Sequence, residues 1–578
     1  MEYNQFSNAV RKESVYKEPL GKVRMISTIR EMFDTSTELF AERPAFLVKD
    51  KIGGPYREIT YLDARRDVYA LGTAFMALDL RGKKVAVVGE NRYEWAITYL
   101  ATVCGVGTIV PLDKELSTEE MQNLLERAKV SAVVYSGKMR KKHPTLFVDN
   151  PNYMCINMDD DTEDVSIAQL IEKGNELIVS GNDAFVKTCP RPDDVNIILF
   201  TSGTTGKAKG VMLSHKNITS NLMNMLAMHK NLGKDDRFFS FLPIHHTYEC
   251  TCGMMCPLYC GASIAYCEGL KYIVKNMQEA KPTYFLAVPQ VMEALNRQIW
   301  NGIRKKGKEK LIKKMIKITD FLLKLKIDLR KKIYKEIHET FGGNMRLFIS
   351  GAAALDPEII KSLRSFGFNT VQGYGMTECA PIAAVNRDVY WEDASCGQPC
   401  IEVDIKIDNP DEHGVGEILV KGDNVMMGYF EDEEETAKTI VDGWLHTGDM
   451  GYIDDRCFVY ITGRLKNVIV TANGENVYPE EVETLLQRSP LIMECMVYAD
   501  ADKLGNETVV SAHILPDFAV VEEALGKEYT EDALRELIDK EVKEINGKMS
   551  PSKRVMKFDV RHEDFVKTTT KKIKRHEN

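Results

Sequence analysis

Ile197-Ile-Leu-Phe-Thr-Ser-Gly-Thr-Thr-Gly-Lys-Ala-Lys-Gly-Val211 is an apolar run that breaks abruptly into glycine, hydroxyl and lysine. Ile197–Phe200 reads as a buried strand. The ten residues Thr201–Gly210 then hold three glycines, three threonines, a serine and two lysines. Glycines let backbone N–H groups approach an anion, hydroxyls add donors and lysines add charge, so the loop suits phosphate oxygens. It is not a Walker loop, because Gly206-Lys207 is followed by Ala208 and Thr201 stands where that motif has its first glycine. The bland alternative is a surface loop, since such clusters usually are. Ser214 is expected to cap a helix running to about His229.

Outward from this stretch, short apolar runs at Lys84–Val88, Thr108–Pro111 and Ala132–Tyr135 alternate with helical patterns at Glu94–Cys104 and Thr118–Ala128. Arg237–Pro243, Thr283–Val288, Arg346–Ser350 and Thr370–Gln372 continue the rhythm, which predicts β/α units around a parallel sheet. Past residue 460 the texture changes. Glu480–Arg488 and Thr530–Asn546 read as helices, and Glu494–Tyr498 and Val509–Leu515 as strands. The expected fold class is α/β: a large N-terminal α/β domain over 1–463 and a small α+β domain over 467–578, with a hinge near 464–467. A chain of 578 residues exceeds one ordinary core, which agrees with two or more domains.

The opening Met-Glu-Tyr-Asn-Gln lacks a secretory pattern, and no run approaches the ~18 apolar residues of a membrane span. A cytoplasmic protein is expected, and its thirteen cysteines as free, buried thiols. Cys250, Cys252, Cys256 and Cys260 lack the paired spacing of zinc sites, and the last three would share a helix face suited to packing. A net charge of −9 argues against nucleic-acid binding. Arg304–Lys335 departs from that balance, with 14 Lys/Arg against Glu309, Asp320 and Asp328. Leu311, Met315, Ile318, Leu322, Leu325 and Leu329 form one helical stripe within it. Two readings stay open: the stripe packs on the protein's own core, or the segment lies on anionic lipid at the inner face of the membrane.

Thr201–Gly210 matches every fixed position of Thr-Ser-Gly-Thr-Thr-Gly-x-x-Lys-Gly, and so resembles the acyl-adenylate-forming, AMP-binding superfamily. Further segments carry the resemblance. Gln372-Gly-Tyr-Gly-Met-Thr-Glu378 is similar to its Gly-Tyr-Gly-x-Thr-Glu motif, and Gly443-Trp-Leu-His-Thr-Gly-Asp449 to its ribose-binding motif. Lys567-Thr-Thr-Thr-Lys-Lys-Ile-Lys-Arg575 resembles Lys-Thr-x-x-Gly-Lys-Ile-x-Arg, with Lys571 in place of the usual glycine and Val566 in place of a frequent proline.

The resemblance implies ATP, Mg²⁺ and CoA as co-substrates and cofactor. It implies a triphosphate cradle of Thr201, Ser202, Gly203, Thr204, Thr205, Gly206, Lys207 and Lys209. Gly351, Ala352 and Ala353 would present backbone to adenine, and Tyr374 would stack on it within Gln372, Gly373, Gly375 and Met376. Thr377 would bind the α-phosphate and Glu378 the metal. Asp449 would hold the ribose hydroxyls, with Ile461 and Arg464 completing the pocket. Lys572 would be the catalytic lysine, Lys466 the hinge, and Gly474 the glycine of the CoA tunnel. His246, in Leu242-Pro-Ile-His-His-Thr-Tyr-Glu249, would line the acyl pocket. Glu249 and the Met254, Met255, Leu258 run after it look like the long-chain branch.

These features lead to an expected activity, fatty acid activation to acyl-AMP and then to acyl-CoA, on small-molecule substrates. Two alternatives are adenylation of a short-chain, aromatic or carrier-bound acid, and an inactive nucleotide-binding or membrane-associated protein.

Overall fold

A computed structural model describes residues 18–148, 150–161, 164–201, 208–471, 475–501, 508–567, 573–575 and 577–578. The chain divides into two compact units. One comprises Met1–Ile405 with Val420–Leu445, and the other Lys406–Leu419 with His446–Asn578.

Two sheets organise the first unit. The seven-stranded sheet runs in the order Gly428–Tyr429, Lys209–Ser214, Val195–Thr201, Thr108–Pro111, Lys84–Val88, Ala132–Tyr135, Met154–Asn157. Its five strands from Val195–Thr201 onward are parallel. The nine-stranded sheet has a parallel centre in which Leu347–Ser350 lies between Tyr284–Ala287 and Asn369–Gly375. Central strands are buried on both faces, as in Leu347–Ser350, so they read as apolar runs rather than alternations. Crossover helices cover them. His215–Met228 begins at Ser214, whose hydroxyl accepts from Asn217 N–H while the Asn217 side chain accepts from Ser214 N–H.

In the second unit Ile492–Ala501 pairs antiparallel with Thr508–Pro516, which pairs in parallel with Lys557–Val560. The helices Pro479–Leu486 and Glu531–Asn546 contribute Val482, Leu486, Leu534, Ile538 and Val542 to its apolar core. This is the expected α/β chain with a smaller α+β unit.

Local expectations fail in four places. First, the strand Lys209–Ser214, paired antiparallel with Val195–Thr201, intervenes before the helix at His215. Second, the helix read over Glu94–Cys104 stays α-helical only over Tyr93–Ala101 and continues as π-helix Thr102–Val106. Third, Cys250 and Cys252 lie in π-helix Tyr248–Met255, and Cys256 and Cys260 in the short α-helix Cys256–Cys260, so no single α-helical face carries them. All four are buried, and burial raises the thiols of Cys252 and Cys256, and that of Cys250 to about 12. Fourth, the basic stripe is not one helix. Glu309–Lys324 ends where Lys326 takes a left-handed φ of 61°, which an α-helix of L-residues does not continue through.

Candidate active site

In the first unit Thr201 and Lys209 face each other across the hairpin stem, and the Thr201 hydroxyl reaches the Lys209 carbonyl at 3.5 Å. Ser202, Gly203, Thr204, Thr205, Gly206 and Lys207 lie outside the described residues. The Lys209 ammonium ion-pairs with Glu435 and sits 4.9 Å from the centre of the Tyr429 ring. Tyr429 is held there because Gly428–Tyr429 pairs with Lys209–Ser214, setting Tyr429 opposite Val211. Its hydroxyl donates to Glu378 Oε1 at 3.0 Å. Burial, and then the Glu378 carboxylate, raise the Tyr429 pKa, which keeps it a donor.

Glu378 itself is buried, in the short 3₁₀ turn Thr377–Cys379 after strand Asn369–Gly375. Next to it, the Thr377 hydroxyl accepts from Thr247 at 3.3 Å. A continuous chain therefore runs from Lys209 through Tyr429 and Glu378 to Thr377 and Thr247. Lys209, Glu378 and Thr377 were legible as candidates; Tyr429, Thr247 and Glu435 were not. No local pattern marks them, because the strand pairing that recruits Tyr429 joins segments more than 200 residues apart.

The glycine-rich approach to this turn is sterically required. A Cβ on Gly375 would meet the Pro381 carbonyl at 1.8 Å, and one on Gly351 the Tyr248 ring at 2.9 Å. Gln372 is buried: its side-chain carbonyl accepts from Leu355 N–H at 3.0 Å and its amide nitrogen donates to the Asp393 carbonyl at 2.8 Å. It thereby fixes the segment after Gly351, Ala352 and Ala353, where Ala352 holds a φ of 75°. Gly373 and Tyr374 sit opposite Val385 and Ala384, Tyr374 is buried, and Met376 N–H closes the turn onto Pro381. His246 is half-buried, its ring 4.1 Å from that of His245.

In the second unit Asp449 is buried opposite Arg464 in a strand pair, and its Oδ1 lies 2.8 Å from Arg464 Nε. Ile461 is on the same strand as Arg464, half-buried. Lys466 follows in the turn Leu465–Asn467, and partial burial together with the Arg464 and Arg575 guanidiniums lowers its pKa. Gly474 and Lys572 lie outside the described residues. Their flanks are described: Ile469–Val470 pairs with Asn476–Val477 around the first, and Lys567 bridges to Ile573 around the second.

Strand-end turns that gather a lysine, a buried carboxylate and hydroxyls suit an anionic nucleotide with a hard cation. Comparison with known proteins agrees. Residues 33–430 match the AMP-binding enzyme family, and this chain belongs to that family. Mouse long-chain-fatty-acid–CoA ligase ACSBG2 is 29% identical over 509 residues, covering 82% of this chain and 76% of that protein. Fatty acyl-CoA synthetase A of Dictyostelium discoideum is 28% identical over 518 residues, covering 84% and 76%. Among solved structures, the anthranilate CoA ligase AuaEII in complex with anthranoyl-AMP superimposes with a TM-score of 0.75 at 20% identity, covering 96% of both chains. The o-succinylbenzoate CoA synthetase of Bacillus subtilis gives 0.70 at 21%, covering 94% of this chain and 97% of that one. These structural likenesses establish the shared fold.

Proposed function

We propose that this chain is an AMP-forming long-chain fatty acid–CoA ligase. A carboxylate oxygen attacks the α-phosphorus of ATP and pyrophosphate leaves. The CoA thiol, giving up its proton, then attacks the acyl carbon and AMP leaves. The observation that carries the nucleotide chemistry is the Lys209–Tyr429–Glu378–Thr377 chain, which sets a cation for phosphate beside a carboxylate for a metal. The long-chain acid is the substrate named for the ligases that resemble this chain over four-fifths of its length.

In this reading Lys209 and the loop before it hold the terminal phosphates, and Thr377 the α-phosphate. The buried carboxylate of Glu378 and the half-buried hydroxyl of Thr377 are oxygen donors that fit Mg²⁺, which would offset triphosphate charge. Asp449 accepts from both ribose hydroxyls, oriented by Arg464. Lys466 is the pivot, with residues up to 463 on one side and those from 467 on the other. Gly474 leaves room for pantetheine, His246 lines the acyl pocket, and Lys572 bridges carboxylate and α-phosphate.

ATP–pyrophosphate exchange across a panel of acids, followed by a CoA-dependence assay, tests the function. Exchange is expected with long-chain acids; exchange confined to short-chain or aromatic acids would overturn the acid assignment. Tyr429→Phe tests the chain of contacts. Loss of one hydrogen bond to a carboxylate costs about 1.5 kcal/mol. The variant should therefore need roughly tenfold more Mg²⁺ for half-maximal exchange, with the melting temperature lowered by no more than about 2–4 °C. An unaltered Mg²⁺ dependence would separate Tyr429 from the metal-binding role.

We further propose that Arg304–Lys335 contacts anionic membrane. No helix among the described residues is long and apolar enough to cross one. Ile312, Met315 and Ile316 pack on the core, but Leu311, Ile318, Phe321 and Leu325 are exposed among the lysines. Basic residues at an anionic surface contribute about 1 kcal/mol each. Changing Lys305, Lys306, Lys313, Lys314 and Lys317 to Gln should therefore reduce co-sedimentation with anionic liposomes to background, and salt should weaken wild-type binding. Absence of wild-type binding at low salt would refute the contact; equal binding by both proteins would place it elsewhere.

A further inference from the structure

We propose that Asp113, His245 and His246 form a binding site for a borderline divalent cation of the zinc type, separate from the Glu378 carboxylate. Their ligand atoms all lie within 4.8 Å of one another, and no other group of three or more such donors forms among the described residues. The site joins two sheets. Asp113 follows strand Thr108–Pro111 of the seven-stranded sheet, while His245 and His246 follow strand Arg237–Ser240 of the nine-stranded one.

The loop bearing the histidines is held in place from the opposite sheet. Asn91 donates to the Leu242 carbonyl at 2.7 Å and to Ser240 Oγ at 3.0 Å, and its own carbonyl accepts from Ile244 N–H at 3.2 Å. Asp113 is oriented as well, because Glu115 N–H donates to its Oδ1 at 2.9 Å. Its Oδ2 lies 3.5 Å from His245 Nε2. His245 is only 8% exposed, yet that nitrogen is buried without a hydrogen bond. A buried polar atom left this way is costly, and a cation shared with the carboxylate would satisfy that nitrogen.

The donor set decides the ligand class. Two imidazoles and one carboxylate suit zinc-like ions, whereas Mg²⁺ and Ca²⁺ prefer oxygen alone. Side-chain shifts of about 1 Å would bring three donors to bonds of ~2.0–2.1 Å and leave a fourth position open. The site needs nothing from the ligase reading. Only a consequence rests on it: a cation on His246 would withdraw that side chain from the acyl pocket, so zinc would inhibit adenylation.

Co²⁺ titration of the chelator-treated, desalted protein tests the site by visible ligand-field absorption, with Zn²⁺ as competitor. One Co²⁺ per chain is expected, displaced by Zn²⁺ and not by excess Mg²⁺. Asp113→Asn and His245→Gln should each weaken binding at least tenfold, with thermal melting checking that both fold. No stoichiometric absorption in the wild type overturns the proposal. So does unchanged affinity in a folded variant, or a thiolate-to-cobalt charge-transfer band, which would place the metal on cysteine. Zn²⁺ binding without inhibition of exchange would leave the site standing and refute the assigned role of His246.

Discussion

Lys572→Ala should lower acid-dependent ATP–pyrophosphate exchange by about 10²–10³-fold, the cost of removing one preorganised charge-stabilising donor. Thioester formation from supplied acyl-AMP should persist. The adenylation step brings two anions together, a carboxylate and a phosphate, and an ammonium between them cancels their repulsion as the bond forms. Thiol attack on a finished acyl-AMP has no such pair. Lys572 lies outside the described residues, but the chain on both sides of it is anchored. Lys567 ion-pairs with Glu494 on strand Ile492–Ala501. Arg575 Nη2 donates to the Glu483 carboxylate, 2.7 and 2.8 Å from its two oxygens, and Nη1 donates to the Val497 carbonyl at 2.7 Å. With its two terminal nitrogens on different partners, the guanidinium is fixed in direction as well as position. If Lys571→Ala proves the damaging change and Lys572→Ala is mild, the motif is shifted by one residue. Equal loss of both half-reactions would make the lysine structural.

What could be read in the sequence follows from how local each signal is. Strands such as Lys84–Val88 and Ala132–Tyr135 were legible because burial on both faces writes itself as consecutive apolar residues. The Ser214 cap was legible because capping is decided within four residues. Lys209–Ser214 was missed: its Lys-Gly start reads as the end of a loop, and only pairing with Val195–Thr201 makes it a strand. The same limit hid Tyr429, which depends on Gly428–Tyr429 adding itself to that hairpin. Lys209, Thr377 and Glu378 were found through a ten-residue and a seven-residue motif, but nothing in either motif tells that they are linked through one tyrosine. Cys252, Cys256 and Cys260 were read onto one helix face, because periodicity does not separate a π-helix such as Tyr248–Met255 from an α-helix over eight residues.

That π-helix carries the second large expectation. Glu249→Gln should stabilise the folded protein at pH 9 by several kcal/mol relative to wild type, with the difference vanishing towards pH 4. Glu249 is wholly buried on Tyr248–Met255, packed so closely on Gly253 that a Cβ there would meet its carboxyl atoms at 2.8 Å. Neither carboxyl oxygen makes a hydrogen bond of good geometry; the Ser240 hydroxyl and the Phe241 N–H lie near enough to favour the charged form, but less than burial opposes it. Desolvation therefore dominates and pushes the pKa from 4.5 to about 8. The unfolded chain releases this proton near pH 4.5, while the folded chain keeps it to about pH 8. Between those values the unfolded state binds fewer protons, so stability falls as pH rises. The penalty is absent below the lower value and complete above the upper one. At ~1.4 kcal/mol per unit, a displacement of this size is worth on the order of 3–5 kcal/mol. Glutamine keeps the shape and removes the ionisation. Denaturant unfolding of both proteins at pH 5, 7 and 9, followed by the transition of the first unit, measures the difference. A wild-type-to-variant gap that stays flat across this range would mean that Glu249 does not titrate there. A gap that grows in favour of the wild type at high pH would mean that the buried carboxylate is charged and paired.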